Sequence, residues 1–352
     1  MRHALALAHE AIGLTDPNPR VGCVIVDGRN QVIGTGHTQA AGQAHAEVMA
    51  LRDAATRGAD VRGATVYVTL EPCAHHGRTP PCCDALIAAG VGRVVAALED
   101  PNPQVRGQGL ARIAAAGIKT QSGLLADEAR ELNIGFLTRM QTGRPYVRLK
   151  IAASLDGRTA LANGESQWIT AEAARRDGHA FRKRAGAVLT GIGTVREDDP
   201  RLDVRLVETA RQPLRVVIDS RLEIKADAKL LASPGDVLIY CAVEPTTRAD
   251  LKAEIMSLPG PGGKVDLPAV LADLARRGIN ELHVEAGHKL NGSMLREGLV
   301  DELLVYLAPK LIGEGREMAA FGPLASLGDA LPWRWIDCTP VGVDLRLRAR
   351  KA

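Results

Sequence analysis

One imidazole, one carboxylate and two thiols have the types and spacing of a hydrolytic zinc site. His45 and Glu47 lie two positions apart, and Cys73 follows a proline and precedes Cys82, with Cys83 beside it as the ambiguous alternative. Three protein ligands leave the fourth tetrahedral position open for water, which is typical of a catalytic zinc site. Zinc lowers the pKa of that water toward about 7. Glu47 is then free to carry a proton from the water to a departing amine, as in the zinc deaminases.

The elements around these residues predict how they meet. Residues 65–70 (TVYVTL) have the pattern of a buried strand, and Cys73 lies in the turn that leaves it. A helix is expected from Cys82 toward residue 90, and another over residues 44–55. Residues two apart do not share a helical face, so His45 and Glu47 can reach one metal only beyond the helix N-terminus. The positive end of the helix dipole favours thiolate and hydroxide there.

Each signal is weak when it stands alone. An isolated His-x-Glu is mostly a solvated helix, and an isolated Pro-Cys is equally unspecific. Together, with a strand and a helix start between them, they favour a deaminase. The cysteines do not have the short spacing of the commonest deaminases, because residues 74–81 separate them.

Composition narrows the remaining classes. The net charge is +3 and aromatic residues make up 3%, so the basic groove interleaved with rings that a single-strand nucleic-acid binder uses is lacking. Six scattered cysteines do not suggest a disulfide framework. Cys23, Cys241 and Cys338 are predicted to be buried thiols. The N-terminal apolar run is too short for a signal peptide, and the sequence has no membrane span, so a cytoplasmic protein is expected.

The length of 352 residues predicts two domains. We place the first at residues 1–141, a linker at 142–145 and the second at 146–352. Alternating helices and strands make both α/β. In the second domain, strands are predicted at 146–152, 187–190, 214–218, 237–241, 281–285 and 303–307, with helices at 171–184, 267–277 and 288–297. The arginine-rich stretch at 174–184 is predicted to be mainly a solvated helix face.

Nucleotide-binding motifs are weak. No GxGxxG follows a strand, no Walker A motif occurs, and residues 191–194 (GIGT) are predicted to be a turn. Residues 285–287 run from a strand end into a helix and could offer N–H groups to a phosphate. Ser220 and Arg221 follow another strand end, where an arginine can meet a 2′-phosphate. Either could equally be an ordinary turn.

Longer motifs give a family resemblance. The stretch TLEPCAHHGRTPPCCDALIAAG, with HAEVMAL before it and EDPNPQVRGQG after it, resembles the bifunctional deaminase-reductase family of riboflavin biosynthesis. The resemblance extends in family order through nearly the whole chain, with TDPNPRVG, KIAASLDGRTA, GESQWIT, DDPRLDVR, VIDSR and GLVDELLVYLAPKLIG. Family members deaminate a phosphoribosylated diamino-pyrimidinone and then reduce its ribosyl chain to ribityl with NADPH.

The resemblance implies a cytidine-deaminase-like α/β/α domain followed by a dihydrofolate-reductase-like α/β domain. It implies Zn²⁺ and NADPH as cofactors, a small pyrimidine phosphate as substrate rather than nucleic acid or a membrane, and a homo-oligomer. The family spacing selects Cys82 over Cys83 as the third zinc ligand.

The resemblance also assigns further site residues. The NADPH site is lined by Ala152, Trp168, Thr194, Asp198, Ser220, Gly287, His288, Lys289, Leu290, Asn291, Gly292 and Ser293. The reductase substrate is contacted by Ser166, Arg182, Leu202, Arg205 and Glu285, with Lys150 near the reacting ribosyl chain. The pyrimidine or its ribose phosphate in the first domain is contacted by Asn18, His75 and Arg78. The arginines have the chemistry of phosphate clamps.

The chain departs from the family pattern at a few positions. His37 and Thr38 stand where an aromatic residue and then a histidine are usual, so His37 must reach in from the neighbouring position or the contact is lost. Ala286 replaces a glycine of the cofactor loop. Asp203 replaces a threonine and adds a negative charge near the expected phosphate site.

Other functions remain open from the sequence. One is a zinc deaminase acting on another nucleobase or a nucleic acid, with a second domain that is not a reductase. A zinc-stapled structural module would need four protein ligands, and only three are well placed.

Overall fold

The computed structural model describes residues 1–75, 80–101, 106–245 and 248–352 and divides into two compact units, residues 1–143 and 144–352. In the first unit, β1 (Gly22–Val26) lies antiparallel to β2 (Val32–His37) on one side and to β3 (Thr65–Val68) on the other. Strands β4 (Arg93–Ala96) and β5 (Lys119–Ser122) continue the sheet parallel to β3, giving the order β2-β1-β3-β4-β5 in the described residues. The helices are α1 (Arg2–Glu10), α2 (Ala46–Thr56), α3 (Cys82–Ala88), α4 (Gln108–Ala115), α5 (Ala126–Leu132) and α6 (Ile134–Thr142).

Helix α2 packs directly on β2. A Cβ atom at Gly36 would lie 2.5 Å from the Ala50 nitrogen and 2.6 Å from the Ala46 carbonyl oxygen. Only glycine permits this backbone approach. The glycines of β2 therefore set the distance between this strand and α2. That distance in turn sets the position of the residues at the start of α2.

The second unit is built on a sheet with the order β11-β10-β9-β8-β12-β6-β13-β16-β15 in the described residues. The strands from β11 to β13 are parallel to one another, and β16 and β15 add an antiparallel edge. The strands of this sheet are β6 (Tyr146–Ser154), β8 (Ala187–Gly191), β9 (Leu214–Ile218), β10 (Val237–Cys241), β11 (Glu254–Ser257), β12 (Glu281–Val284), β13 (Glu302–Ala308), β15 (Trp333–Val341) and β16 (Asp344–Lys351). Strands β7 (Arg158–Leu161) and β14 (Gly315–Glu317) pair antiparallel in a separate two-stranded sheet. The helices are α7 (Glu172–Arg184), α8 (Ile192–Asp198), α9 (Lys229–Ala232), α10 (Leu267–Arg276) and α11 (His288–Arg296), with 3₁₀ turns at Pro261–Gly263 and Leu327–Asp329.

The apolar runs of β9 and β10 are buried along almost their whole length, as expected for parallel strands covered on both faces. Residues 191–194 were predicted to be a turn, and that prediction is wrong: β8 leads directly into α8. The glycines mask the helix in the sequence, but Ile192 and Val195 pack into a buried apolar cluster beside Val217, and this burial favours the helix.

The predictions for two of the three other cysteines are confirmed. Cys23 and Cys241 are buried, whereas Cys338 is exposed, so its predicted burial is wrong. Cys338 lies on β15, which pairs only with β16 in the described part of the chain, and its side chain falls on the solvent side of that edge strand. No helix of the described residues combines the length and the apolar character needed to cross a membrane.

Candidate active sites

The start of α2 carries two of the residues singled out from the sequence. His45 is the residue preceding the helix, with extended backbone (φ −75°, ψ 167°), and Glu47 lies in its first turn. The different backbone conformations of the two positions let both side chains approach the same point beyond the helix N-terminus. Glu47 is only 3% exposed. Burial, reinforced by the negative charge of Cys73, raises the pKa of Glu47 to about 7.

The start of α3 brings the two thiols together across their long insert. Pro81 precedes the helix, and Cys82 is its first residue. The Cys82 N–H donates to Cys73 Sγ at 3.3 Å, and the Cys83 N–H donates to the Cys73 carbonyl at 3.2 Å. Neither His45 nor Pro81 makes a side-chain capping bond to its helix within the described residues.

The three expected zinc ligands form one cluster. His45 Nδ1 lies 3.2 Å from Cys82 Sγ and 3.6 Å from Cys73 Sγ, and the three ligand atoms all lie within 4.8 Å of one another. Ordinary Zn–N and Zn–S bond lengths in a tetrahedron separate such atoms by about 3.6 to 3.8 Å. The Cys83 thiol instead lies 3.6 Å from the Asp84 carboxylate. The donor set and its spacing therefore fit a zinc ion with one position open.

The cluster favours the metal-binding form of sulfur at Cys73, whereas the hydrogen bond to Cys73, together with burial, raises the pKa of the Cys82 thiol. Hydrogen bonds from the Cys82 thiol and from His45 lower the pKa of the Cys73 thiol. The hydrogen bond to Cys73 raises the pKa of His45. A thiolate is the form of cysteine that binds metals, so the surroundings prepare Cys73 as a ligand.

Glu71 is an anchor that the sequence analysis missed. Its carboxylate is 5% exposed and accepts four backbone N–H groups. Asp100 and Gly107 donate to Oε2, each at 2.9 Å, while Gly109 and Leu110 donate to Oε1 at 2.9 and 3.1 Å. A carboxylate at the start of α4 also suits the helix dipole. The signal in the sequence was a glutamate before Pro-Cys and a glycine-rich segment about 36 residues later, but nothing in the sequence paired them.

The segment held by Glu71 presses directly on the turn that carries Cys73. A Cβ atom at Gly109 would lie 1.9 Å from the Pro72 carbonyl oxygen. The segment around Gly109 therefore supports the turn that carries Cys73 through backbone contact, rather than through a side chain in the site.

We expect Glu71→Gln to destabilise the first unit by about 3 kcal/mol, because an amide accepts fewer of the four bonds and leaves buried N–H groups unpaired. Displacement of the Cys73 turn should also weaken zinc binding about tenfold, as changes behind metal ligands commonly do. Titration of the zinc-loaded protein with a chelator measures the second effect, and Glu99→Gln on the same segment is the matched control. An unchanged chelator midpoint would contradict this role.

The other described residues that the resemblance assigns to the first site are less buried than Glu47. Asn18 is half-buried in a turn in which its N–H donates to the Thr15 carbonyl at 2.9 Å, and His75 is exposed. Arg78 lies outside the described residues. His37 Nδ1 lies 3.7 Å from a Glu10 carboxylate oxygen on α1.

The Thr38 side chain is buried instead. The Val21 N–H donates to its hydroxyl at 3.3 Å. The histidine is therefore paired with the end of α1, and a hydroxyl occupies the next position along the chain.

The second unit contains a cavity of about 630 Å³. It lies toward the carboxyl ends of the parallel strands, where open α/β sheets place their ligands. Of the residues assigned from the sequence, its lining includes Lys150, Ala152, Ser166, Trp168, Arg182, Thr194, Asp198, Leu202, Arg205, Glu285, Gly287, His288 and Asn291. Ser220, Lys289, Leu290, Gly292 and Ser293, all described, are outside that lining.

The NADPH side and the substrate side of the expected site meet in this cavity. The Ser166 hydroxyl donates to Asp198 Oδ1 at 2.9 Å. Trp168 is 60% exposed, and the guanidinium of Arg175 stacks 4.5 Å from its ring centre. Ser220 instead accepts the Val265 N–H at 3.3 Å. A helix N-terminus, an open ring and polar side chains around one cleft fit a dinucleotide.

Glu285 is the charged centre of the cavity wall. Arg182 donates to it through Nε, and through Nη2 at 3.0 Å, and Lys150 Nζ lies 3.6 Å away. Burial alone would raise the pKa of Glu285, but the charges of Arg182 and Lys150 hold it well below its ordinary value. Burial, then the charges of Arg182 and Arg205, lower the pKa of His179 to about 4. The wall therefore presents a fixed carboxylate, fixed cations and a neutral imidazole at neutral pH.

Comparison with known proteins follows the same division of the chain. Residues 1–98 match the family model of the cytidine and deoxycytidylate deaminase zinc-binding region, and residues 145–346 match that of the RibD C-terminal domain. The riboflavin biosynthesis protein RibD of Escherichia coli is 48% identical over 361 aligned positions, which cover 99% of this chain and 97% of that protein. The chain belongs to the RibD family. The Mycobacterium tuberculosis member is 39% identical over 98% of this chain and 94% of its own length.

Solved RibD structures have the same fold. Acinetobacter baumannii RibD superposes with a TM-score of 0.90 at 43% identity and covers all of this chain and 97% of its own. A Thermotoga maritima diaminohydroxyphosphoribosylaminopyrimidine deaminase and 5-amino-6-(5-phosphoribosylamino)uracil reductase also has a TM-score of 0.90, at 33% identity, with 100% of this chain and 97% of that one covered.

RibD membership confirms the predicted family, fold class and bifunctional activity. The chain is a deaminase and a reductase of riboflavin biosynthesis, with zinc and NADPH as cofactors. The alternative of a deaminase joined to a non-reductase domain is not favoured, because the reductase-domain model matches nearly all of the second unit.

Proposed function

We propose that residues 1–141 and 146–352 carry the two reactions separately, each at the site described above. His45, Cys73 and Cys82 hold the zinc ion, and Asn18, His75 and Arg78 contact the pyrimidine or its ribose phosphate. The observation that carries the first assignment is the cluster of three ligand atoms within 4.8 Å of one another, beside a buried carboxylate.

In the deaminase site, zinc when bound supplies an acidified water as the nucleophile. Glu47 would take one proton from the attacking water and pass it to a ring nitrogen. It would then take the proton of the new hydroxyl group and give it to the amine, which would leave as ammonia while the carbonyl forms. The burial of Glu47 suits this role, because it removes competing water and keeps the carboxyl close to the protonation balance that proton transfer needs.

In the reductase site, NADPH when bound supplies the hydride that reduces the ribosyl C1′. Ala152, Trp168, Thr194, Asp198, Ser220 and the segment from Gly287 through His288, Lys289, Leu290, Asn291 and Gly292 to Ser293 are proposed to hold the cofactor. Ser166, Lys150, Arg182, Leu202, Arg205 and Glu285 are proposed to hold the phosphoribosylamino-uracil. The fixed Glu285 carboxylate accepts sugar hydroxyls, and the arginines bind phosphate.

The test is one assay with two readouts. Zinc-loaded protein is given the diamino-pyrimidinone phosphate and NADPH, and ammonia and NADPH are followed in the same tube. Ammonia release followed by NADPH loss supports both sites. A fully loaded, folded sample that releases no ammonia would overturn the substrate assignment.

Asp198→Ala tests the separation of the sites. The change removes the acceptor of the Ser166 hydroxyl in the cavity wall, so we expect reduction to slow about 10- to 100-fold while ammonia release stays unchanged. Initial rates of both products measure the split. A parallel loss of both activities would contradict separate sites.

The proposal also covers the compartment, the substrate class and the assembly of the enzyme. A reducing compartment such as the cytoplasm keeps both thiol ligands available to the metal. The modest net charge of +3 supports a small pyrimidine phosphate rather than nucleic acid as the partner. Homo-oligomeric assembly is proposed from the family likeness.

A further inference from the structure

The departure at Asp203 has a structural explanation on the wall of the reductase cavity. The Asp203 side chain is 3% exposed and pairs with an arginine on each side of it in sequence. Its Oδ1 accepts Arg205 Nη1 at 2.6 Å, and its Oδ2 lies 2.9 Å from Arg201 Nη2. Both arginines line the cavity and remain 41% and 50% exposed, respectively. One buried carboxylate thus holds two guanidinium groups that face a ligand space.

The backbone beneath this carboxylate is fixed by several contacts. Arg182 Nη1 donates to the Asp203 carbonyl at 2.9 Å, and the Arg205 N–H donates to His179 Nδ1 at 3.2 Å. Leu202 has left-handed backbone (φ 53°) and a buried side chain. Such a conformation is sterically disfavoured in a residue other than glycine, so it persists where the surroundings hold it. The two arginines are therefore mounted on a rigid segment.

The charge of this wall suits a phosphate monoester. Arg201 and Arg205 join Arg182 and Lys150 as cations, while Asp203 and Glu285 are the anions paired with them. Among these six groups two positive charges remain in excess, and a phosphate monoester carries about −1.5 to −2 at pH 7. The rest of the lining carries Arg175, Lys229 and Arg316 against Glu172, Glu197, Asp198 and Asp199, so the local excess at Arg201 and Arg205 is what suits the phosphate, and not the net charge of the whole cavity. Asp203 lowers the total charge, but it holds the guanidiniums in place before the ligand arrives, which reduces the entropy lost on binding.

We propose that Arg201 is a further phosphate-binding arginine of the reductase site, beside Arg182 and Arg205, and that Asp203 is the positioning residue for both Arg201 and Arg205. The inference rests on the proposed function, in which this cavity binds the phosphoribosylamino-uracil. Arg201 acts on the ligand directly, and Asp203 acts only through the two arginines.

The experiment compares the phosphorylated substrate with its dephosphorylated riboside at saturating NADPH. Arg201→Ala is expected to raise KM for the phosphorylated substrate about tenfold, with kcat, the KM for the riboside and the KM for NADPH unchanged, because one charge-assisted hydrogen bond to phosphate is lost. Arg201→Lys should recover part of the loss, since lysine keeps the charge without the planar fork. Arg176→Ala, which removes an exposed cation of α7 outside the cavity lining, is the matched control.

Asp203→Asn tests the positioning role. In that background, Arg201→Ala is expected to raise KM less than about threefold, because the guanidinium is no longer held. An equal penalty in both backgrounds would overturn the role of Asp203.

Comparison with the riboside distinguishes failure of the whole phosphate-binding proposal from failure of the role of Arg201 alone. If the wild-type enzyme uses both substrates equally well, the proposed phosphate clamp fails as a whole. If the wild type discriminates and Arg205→Ala abolishes the discrimination, but Arg201→Ala behaves like Arg176→Ala, only the role of Arg201 is overturned.

Discussion

Replacing Glu47 by Gln is expected to lower ammonia release by about a thousandfold or more while zinc remains bound. Positioned acid-base groups contribute about 10²- to 10⁴-fold, and here one carboxyl handles every proton of the proposed reaction. Glutamine keeps the size and polarity of the buried side chain, so the ligand cluster is expected to survive. Ammonia production and the zinc content of the same preparation measure the two effects.

The control for Glu47→Gln is the second reaction on the same chain. Given 5-amino-6-(5-phosphoribosylamino)uracil directly, the variant should consume NADPH at the wild-type rate, because Glu47 lies in the first unit. Normal ammonia release by a zinc-loaded variant would end the assignment. Loss of zinc together with activity would show that Glu47 supports the metal instead.

Glu302→Gln is expected to destabilise the second unit by about 3–5 kcal/mol. Glu302 is fully buried and accepts hydrogen bonds from Arg148 Nε at 2.7 Å, from Arg348 Nε at 2.9 Å and from Arg350 Nη2 at 2.9 Å. Removing one partner of a buried ion pair leaves the other charge uncompensated, which typically costs this much. Here the remaining cations would also repel one another.

Unfolding of the second unit can be followed selectively. All three tryptophans, Trp168, Trp333 and Trp335, lie in that unit, so denaturant titration by tryptophan fluorescence reports on it alone. Glu297→Gln, an exposed glutamate at the end of α11, is the control and should change the unfolding free energy by less than about 0.5 kcal/mol. A Glu302→Gln titration that matches this control would contradict the prediction.

The ion pairs between Glu302 and its arginines also predict that the wild type and Glu302→Gln differ in stability at acidic pH. The arginines hold the pKa of Glu302 below its ordinary value of about 4.3 despite the burial, which alone would raise it. The stabilising contribution is therefore complete above that ordinary value and is lost as the pH falls toward the folded pKa. Between about pH 5 and 3, the unfolding free energy of the wild type should fall more steeply than that of Glu302→Gln.

The elements with the strongest local patterns were predictable from the sequence. The bounds of β9 and β10 match the predicted strands, because continuous apolar runs are what a doubly covered parallel strand requires. The edge hairpin of β15 and β16 was missed. Its strand β16 alternates leucine with arginine, but Arg348 and Arg350 turn toward the buried Glu302, so burial there follows long-range charge pairing rather than hydropathy.

The functional sites likewise contain residues with a local sequence signal and residues whose roles depend on contacts distant in sequence. The proposed zinc ligands are recognisable from the sequence because few chemistries need those residue types in that order. Glu71 was missed because its partners are backbone N–H groups distant in sequence. From the sequence, Asp203 is only an added negative charge near the expected phosphate site. Its pairing with Arg201 and Arg205 depends on a backbone turn at Leu202 that the sequence does not reveal.

The helices that begin at Ala46 and Cys82 also have a consequence for the metal-free protein. The residues that precede them, His45 and Pro81, leave the first turns without side-chain caps in the described structure. His45 and Cys82 are among the proposed ligands, so coordination would tie together the ends at which both helices otherwise fray. Metal occupancy and local order are thermodynamically linked, and amide hydrogen exchange at these two helix starts becomes a gauge of how much zinc the enzyme holds.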